Sequence, residues 1–151
     1  MDLIGVLGDA YPTLLKGLGM TLKITCLSLV LALVLGIITC LFGISKIKPL
    51  KWIASVYIWL IRGTPMLVQA MYIYFAMPQL IQVITGSGFK IDVFTASLVT
   101  LTLNAGAYMS EIFRGAIEAV NKGQMEAARS LGLSYGKSML KIILQIGRAH
   151  V

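Results

Sequence analysis

Charge is scarce in this chain. Only 13% of its 151 residues are Asp, Glu, Lys or Arg, against about 25% in a typical soluble domain. Most soluble cores of this size carry more, so the composition falls far on the membrane side. Histidine is all but absent: the single one, His150, lies at the very end, which leaves no histidine metal site. There are two cysteines, Cys26 and Cys40, both in one apolar segment. On a helix they would sit roughly 20 Å apart, too far to bridge; they read as packing residues and say little about redox compartment. Acids number six and form no pair within an apolar segment, so no catalytic constellation is present and no catalytic residue is assigned. The Gly-rich Walker pattern is missing too, and no cofactor or metal is expected on this chain. The first residues lack the basic start and small-residue cleavage site of a signal peptide.

What the chain has instead is apolar sequence: 58% hydrophobic residues and a mean hydropathy of +0.87. Three segments approach the 20 or so apolar residues that cross a bilayer. They are 21–42, with Lys23 near one end; 65–84, with no charge; and 93–113, with only Glu111 near its end. Residues 1–20 read as an extracytoplasmic or interfacial lead-in. The net charge of +7 invites a nucleic-acid reading, but the cations are spread along the chain and membrane topology explains them better. Lys46, Lys48, Lys51, Arg62, Arg114, Lys122, Arg129, Lys137 and Lys141 fall on one side of the expected spans, and Lys16, Lys23 and Lys90 on the other. The positive-inside rule places the richer side in the cytoplasm and the N-terminus outside, in a multi-pass arrangement.

The connection between the first two spans is compact. Pro49 breaks it, and residues 51–62 form an amphipathic stretch with Trp52, Tyr57 and Trp59 at the interface. Arg62-Gly63-Thr64-Pro65 then opens the second span, with Thr64 placed to cap it and Pro65 in its first turn. Arg62 has two readings, a cytoplasmic anchor or part of the inner mouth of a pathway. Gln69 and Asn104 are polar groups well inside their spans, where they are costly in lipid and face protein or a cavity. Each fits an inter-helix hydrogen bond or a pathway lining. Gly106, Ala107 and Ser110 read as a close-packing face, and Pro78 as a kink.

After the third span comes a polar, Gly-punctuated segment and then renewed apolar sequence. Gly123 and Gly132 bracket 124–131, good helix formers. This predicts a helix of about two turns ended by Gly132 in a left-handed cap. Glu126 lies near its N-terminal end, where the dipole favours an acid. Ala127 and Ala128 give a low-profile surface for another protein, and Ser134 is placed to cap the next helix. On the charge count this loop is cytoplasmic, and so is any partner that docks there.

Glu126-Ala127-Ala128, Gly132, Ile142 and Leu144, with this spacing, resemble the EAA motif of ABC importer permeases. The family continues with Pro where this chain has Gln145. Arg62-Gly63-Thr64-Pro65 and the run from Tyr108 to Ile117 further resemble the polar amino-acid branch, the permeases for histidine, arginine, glutamine and glutamate. The resemblance runs from about Pro12 to Leu144. It implies an all-α membrane protein of the type I importer permease fold, N-terminus outside, in a bacterial inner or plasma membrane. Three transmembrane helices, a coupling helix and the start of a fourth helix would be present here. It also implies a second permease subunit, identical or different, and a separate ABC ATPase that binds ATP and Mg. An extracytoplasmic binding protein would deliver the amino acid. The helix with Glu126, Ala127, Ala128 and Gly132 would couple to the ATPase, and Gln69, Asn104 and Arg62 are the pathway candidates. The permease would be a transport subunit in lipid, not an enzyme and not a nucleic-acid binder.

Residues 21–144 thus read as a partial permease domain. Residues 145–151 are expected to be non-native, because Ile146 to Val151 can be encoded by a common sequencing adapter that begins one base into the expected proline codon. The competing readings are a permease for another small solute and a small non-ABC membrane interaction or channel protein.

Overall fold

The computed structural model describes residues 3–86 and 88–147, with side chains from residue 10 onward. All regular structure among them is helical. Residues 148–151, most of the tail expected to be non-native, lie outside the described residues. Residues 145–147 close the last helix.

The first helix, α1 (Leu3–Gly43), runs for 41 residues, about 60 Å at 1.5 Å per residue. No break marks the expected boundary between lead-in and span: the helix passes through residues 20 and 21, and Pro12 lies inside it. Its portion Ala10–Gly43 is long and apolar enough to cross a membrane, and so is Met66–Thr85. The expected third span is α5 (Val93–Glu118), 26 residues long. It is long enough to cross but less apolar, because hydroxyls and Asn104 interrupt its aliphatic run. The reason lies in its position: α5 is central, packed mainly on α1, so its polar groups meet protein.

Small side chains make that central pair possible. Ala32, Thr39 and Cys40 of α1 are buried, as are Ala96, Thr100, Ala107 and Ser110 of α5. A Cβ on Gly36 would stand 2.9 Å from Cβ of Met109 and 3.2 Å from the carbonyl oxygen of Gly106, so the backbones touch there. Dispersion over such close contacts is what joins helices where water supplies no hydrophobic drive. The buried hydroxyls do not pair across the interface. Ser110 donates to Ala107 O at 2.8 Å and Thr100 to Ala96 O at 2.7 Å, each satisfied within its own helix.

α2 (Lys48–Arg62) follows a short turn, and Pro49 sits in its first turn. Pro49 therefore starts this helix, where its missing N–H costs nothing, and does not break it. The next apolar helix is composite. α3 (Met66–Met71) passes into a π-helical turn (Tyr72–Ala76) and then α4 (Met77–Thr85). The Met77 amide reaches back to Tyr72 O, so the wide turn directly precedes Pro78 and absorbs its missing donor. Gly86, at φ 69°, ends α4 in the left-handed region. Asp92 caps α5: its carboxylate accepts from the Thr95 hydroxyl at 2.7 Å and the Thr95 amide at 3.0 Å. Those bonds hold its carboxyl below the ordinary carboxylate value.

Candidate functional site

Two places bring the candidate residues together: the break between α2 and α3, and the short helix α6 (Lys122–Ser130) that follows α5.

At the break, Gly63-Thr64-Pro65 interrupts the helix, and the last carbonyls of α2 need donors. Gln69 supplies one of them and binds the turn as well. Its Nε2 donates to Ile61 O at 2.7 Å, Thr64 O at 3.0 Å and Thr64 Oγ1 at 2.9 Å. Its Oε1 accepts from Asn104 Nδ2 of α5 at 3.2 Å. The two polar groups that the sequence placed inside separate spans therefore meet, and of the two readings open to each the hydrogen bond between helices is observed. Thr64 does not cap α3 as expected. Its hydroxyl donates to Leu60 O at 2.8 Å, and Pro65 holds the N-cap position, because Thr64 is turned back toward α2 by that bond.

Arg62 is anchored on the same side of α5. Its Nη1 lies 3.3 Å from Glu111 Oε2, and its guanidinium stands 5.1 Å from the Tyr108 ring centroid. Glu111 is shared: Arg114 grips it with Nε at 2.9 Å and Nη2 at 2.8 Å, while Arg114 Nη1 reaches Glu118 at 2.7 Å. One more tie comes from Tyr57 of α2, whose hydroxyl donates to Leu103 O at 2.6 Å. Leu103, Asn104, Tyr108 and Glu111 recur at helical spacing, so a single stripe of α5 receives every one of these contacts. Tyr57 was expected only at an interface. A helix shows its apolar periodicity, not the remote carbonyl a hydroxyl will find.

The helix α6 begins two residues earlier than the bracketing glycines suggest. Asn121 is its N-cap, accepting from the Gly123 amide at 2.8 Å. An Asn followed by helix formers is a recognisable N-cap signal, one that the glycines obscured. The end is as expected: Gly132 takes φ 83°. Its amide donates to Arg129 O at 2.9 Å and that of Leu133 to Ala128 O at 3.3 Å, the paired bonds of a Schellman motif. A side chain at 132 would be strained whatever the space around it. Ser134 holds the next N-cap position, at the start of α7 (Tyr135–Ser138), but makes no side-chain cap bond.

Glu126 and Ala127 are exposed, but Ala128 is 2% exposed. Ala128 thus does not belong to an open surface. It faces the chain that follows, α7 and the π-helical turn Met139–Ile143, against which α6 packs. At 100° per residue, Glu126 points roughly opposite to Ala128. The outward face of α6 therefore carries Gly123, Glu126 and Ser130. Leu131, 83% exposed, leaves an apolar group open at the C-terminal end of the helix. A final turn, α8 (Leu144–Gly147), brings Gly147 against α5: a Cβ there would meet Ala116 O at 3.0 Å.

Comparison with known proteins agrees with this arrangement. The chain is 47% identical over 133 residues to the arginine transport system permease protein ArtQ of Bacillus subtilis, covering 88% of this chain and 58% of that protein. It is 41% identical to the glutamine transport system permease protein GlnP of Escherichia coli K12, covering 91% and 60%. It is 38% identical to the L-cystine transport system permease protein TcyB of Bacillus subtilis, covering 89% and 54%. It thus spans little more than half the length of these relatives. A crystal structure of an amino acid ABC transporter with histidines superposes with a TM-score of 0.85 at 39% identity, covering 97% of this chain and 65% of that one. Residues 28–146 match the family described as binding-protein-dependent transport system inner membrane component. With that match over most of its length, the chain belongs to this family of membrane transport components.

Proposed function

We propose that the chain is the permease subunit of an ATP-driven importer for a polar amino acid. The observation that carries this reading is α6: a short helix capped at both ends, fixed to the body by Ala128 and turning Glu126 outward. Such a helix is rigid at its base and free on its outer face, as a docking element needs to be. A separate ABC ATPase, holding ATP and Mg, receives this face, with Glu126, Ala127 and the Gly132 turn forming the contact and Ala128 seating it. A second permease subunit and an extracytoplasmic binding protein complete the system. The chain crosses the membrane several times with its N-terminus outside, as the cation distribution requires. Relatives named for arginine, glutamine and L-cystine transport favour an amino acid over another small solute. Arg62, Gln69 and Asn104 belong to the inner mouth of the pathway, where they fix the break between α2 and α3.

The test is Glu126→Lys and Gly132→Asp, each in the complete transporter. Uptake and substrate-stimulated ATP hydrolysis should both fall at least tenfold, while membrane insertion is unchanged. Normal uptake and hydrolysis in both variants would defeat the coupling role.

A further inference from the structure

We propose that the outer face of α2, with the turn before it, binds anionic phospholipid headgroups. α2 turns Ala54, Tyr57, Ile58 and Ile61 toward the protein, a spacing of i, i+3, i+4 and i+7. Lys48, Trp52, Ser55 and Trp59 form the opposite stripe, all exposed. Trp52 is 69% and Trp59 76% exposed. The stripe therefore runs about 16 Å, from a cation at its start into aromatic surface.

Lys46 and Lys51 flank Lys48 and are also exposed. Among the described residues none of the three takes part in an ion pair. They crowd the N-terminus of α2, where the helix dipole adds further positive potential. No acidic residue occurs between Asp9 and Asp92 to offset them. The cluster lacks an anion and the tryptophans beside it lack an apolar cover. A phospholipid supplies both in one molecule, a charged headgroup beside an acyl boundary where tryptophan settles. A second copy of this face would cover the tryptophans but bring three more cations. An acidic protein surface would meet the lysines and leave the tryptophans bare. The proposal does not depend on which solute is transported.

Trp52 and Trp59 are the two tryptophans of the chain, so its intrinsic fluorescence reports on this face. The chain is reconstituted into phosphatidylcholine vesicles containing brominated phosphatidylglycerol, or brominated phosphatidylcholine at the same mole fraction. The anionic lipid should quench more, with a relative association of about fivefold or greater, the contribution of roughly one lysine near a charged surface. Replacing Lys46, Lys48 and Lys51 together by Gln should bring the ratio near one. Replacing them by Arg should preserve it, which separates lost charge from lost folding. A ratio of one in the unaltered chain, or a ratio untouched by the Gln substitutions, would overturn the proposal. So would weak quenching by both lipids, which would mean that a protein surface covers the stripe.

Discussion

Replacing Gln69 by Leu should loosen the break between α2 and α3 far more than replacing its partner Asn104. The magnitude follows from the amide's two ends. Nε2 carries two hydrogens, so of its three acceptors, Ile61 O, Thr64 O and Thr64 Oγ1, it satisfies two well at any instant. Oε1 adds the bond from Asn104. Inter-helix hydrogen bonds in membranes average about 0.6 kcal/mol. Gln69→Leu therefore costs about 2 kcal/mol, whereas Asn104→Leu, which removes one bond, costs about 0.6 kcal/mol. Gln69→Glu should be at least as damaging as Leu, since a carboxylate keeps the acceptor for Asn104 but turns negative oxygens toward backbone carbonyls. The double variant Gln69→Leu with Asn104→Leu should cost no more than Gln69→Leu alone, because the second change removes a bond already lost.

Reversible unfolding in mixed micelles measures these differences. Hydrogen exchange at the Gln69 amide, bonded to Pro65 O at 3.2 Å, reports on the break itself. Equal losses for Gln69→Leu and Asn104→Leu would refute the clamp. If both left stability untouched but shifted the apparent affinity for substrate, the two amides would be pathway contacts and not a fastening.

Three further outcomes are expected. Gly36→Leu should separate α1 from α5, since its side chain would enter space already within 3.3 Å of the Ser110 amide; the expected loss is about 1–3 kcal/mol, and unchanged unfolding would show that the helices do not touch there. Glu111→Gln should cost about 1 kcal/mol or less, because both its partners, Arg62 at 40% and Arg114 at 35% exposure, are screened, yet it should reduce transport in the full complex more than its stability loss explains; wild-type transport would remove the Arg62–Glu111–Arg114 cluster from the working mechanism. With Cys26 and Cys40 replaced by Ser, a cysteine introduced at Gly88 should react with an impermeant reagent from outside, and one at Gln124 only after the cytoplasmic side is opened; the reverse pattern would invert the orientation.

The helices were largely legible because their causes are local. Apolar runs and the glycine at 132 act over a few residues, and each did what its chemistry requires; Pro49 also acts locally, but it starts α2 where a break was expected. The start of α6 was misread because two glycines look like brackets, whereas Gly123 lies inside the helix and gives its amide to Asn121. Ala128 was misread for a different reason. Three adjacent motif residues were treated as one surface, but 100° per residue turns the third inward. The extension of α1 upstream of residue 20 escaped notice because glycines and a proline lower helix propensity without forbidding a helix.

Which partners fasten the break was not legible, and distance along the chain explains why. Tyr57 meets Leu103 across 46 residues and Gln69 meets Asn104 across 35, so no window that detects a helix contains either pair. Composition did show that Gln69 and Asn104 needed partners, since unpaired amides are costly away from water. It could not show that one partner would be the frayed end of α2. The same stripe of α5 that holds the break continues through Glu111 and Arg114 to Glu118, and Asn121 caps α6 three residues later. The break and the outward face of α6 are thus fixed to opposite ends of one helical segment. Any movement of α6 is either carried to the break by α5 or absorbed in the two residues between Glu118 and Asn121. Val120, 7% exposed, lies in that short link and is packed in place, which favours transmission over slack.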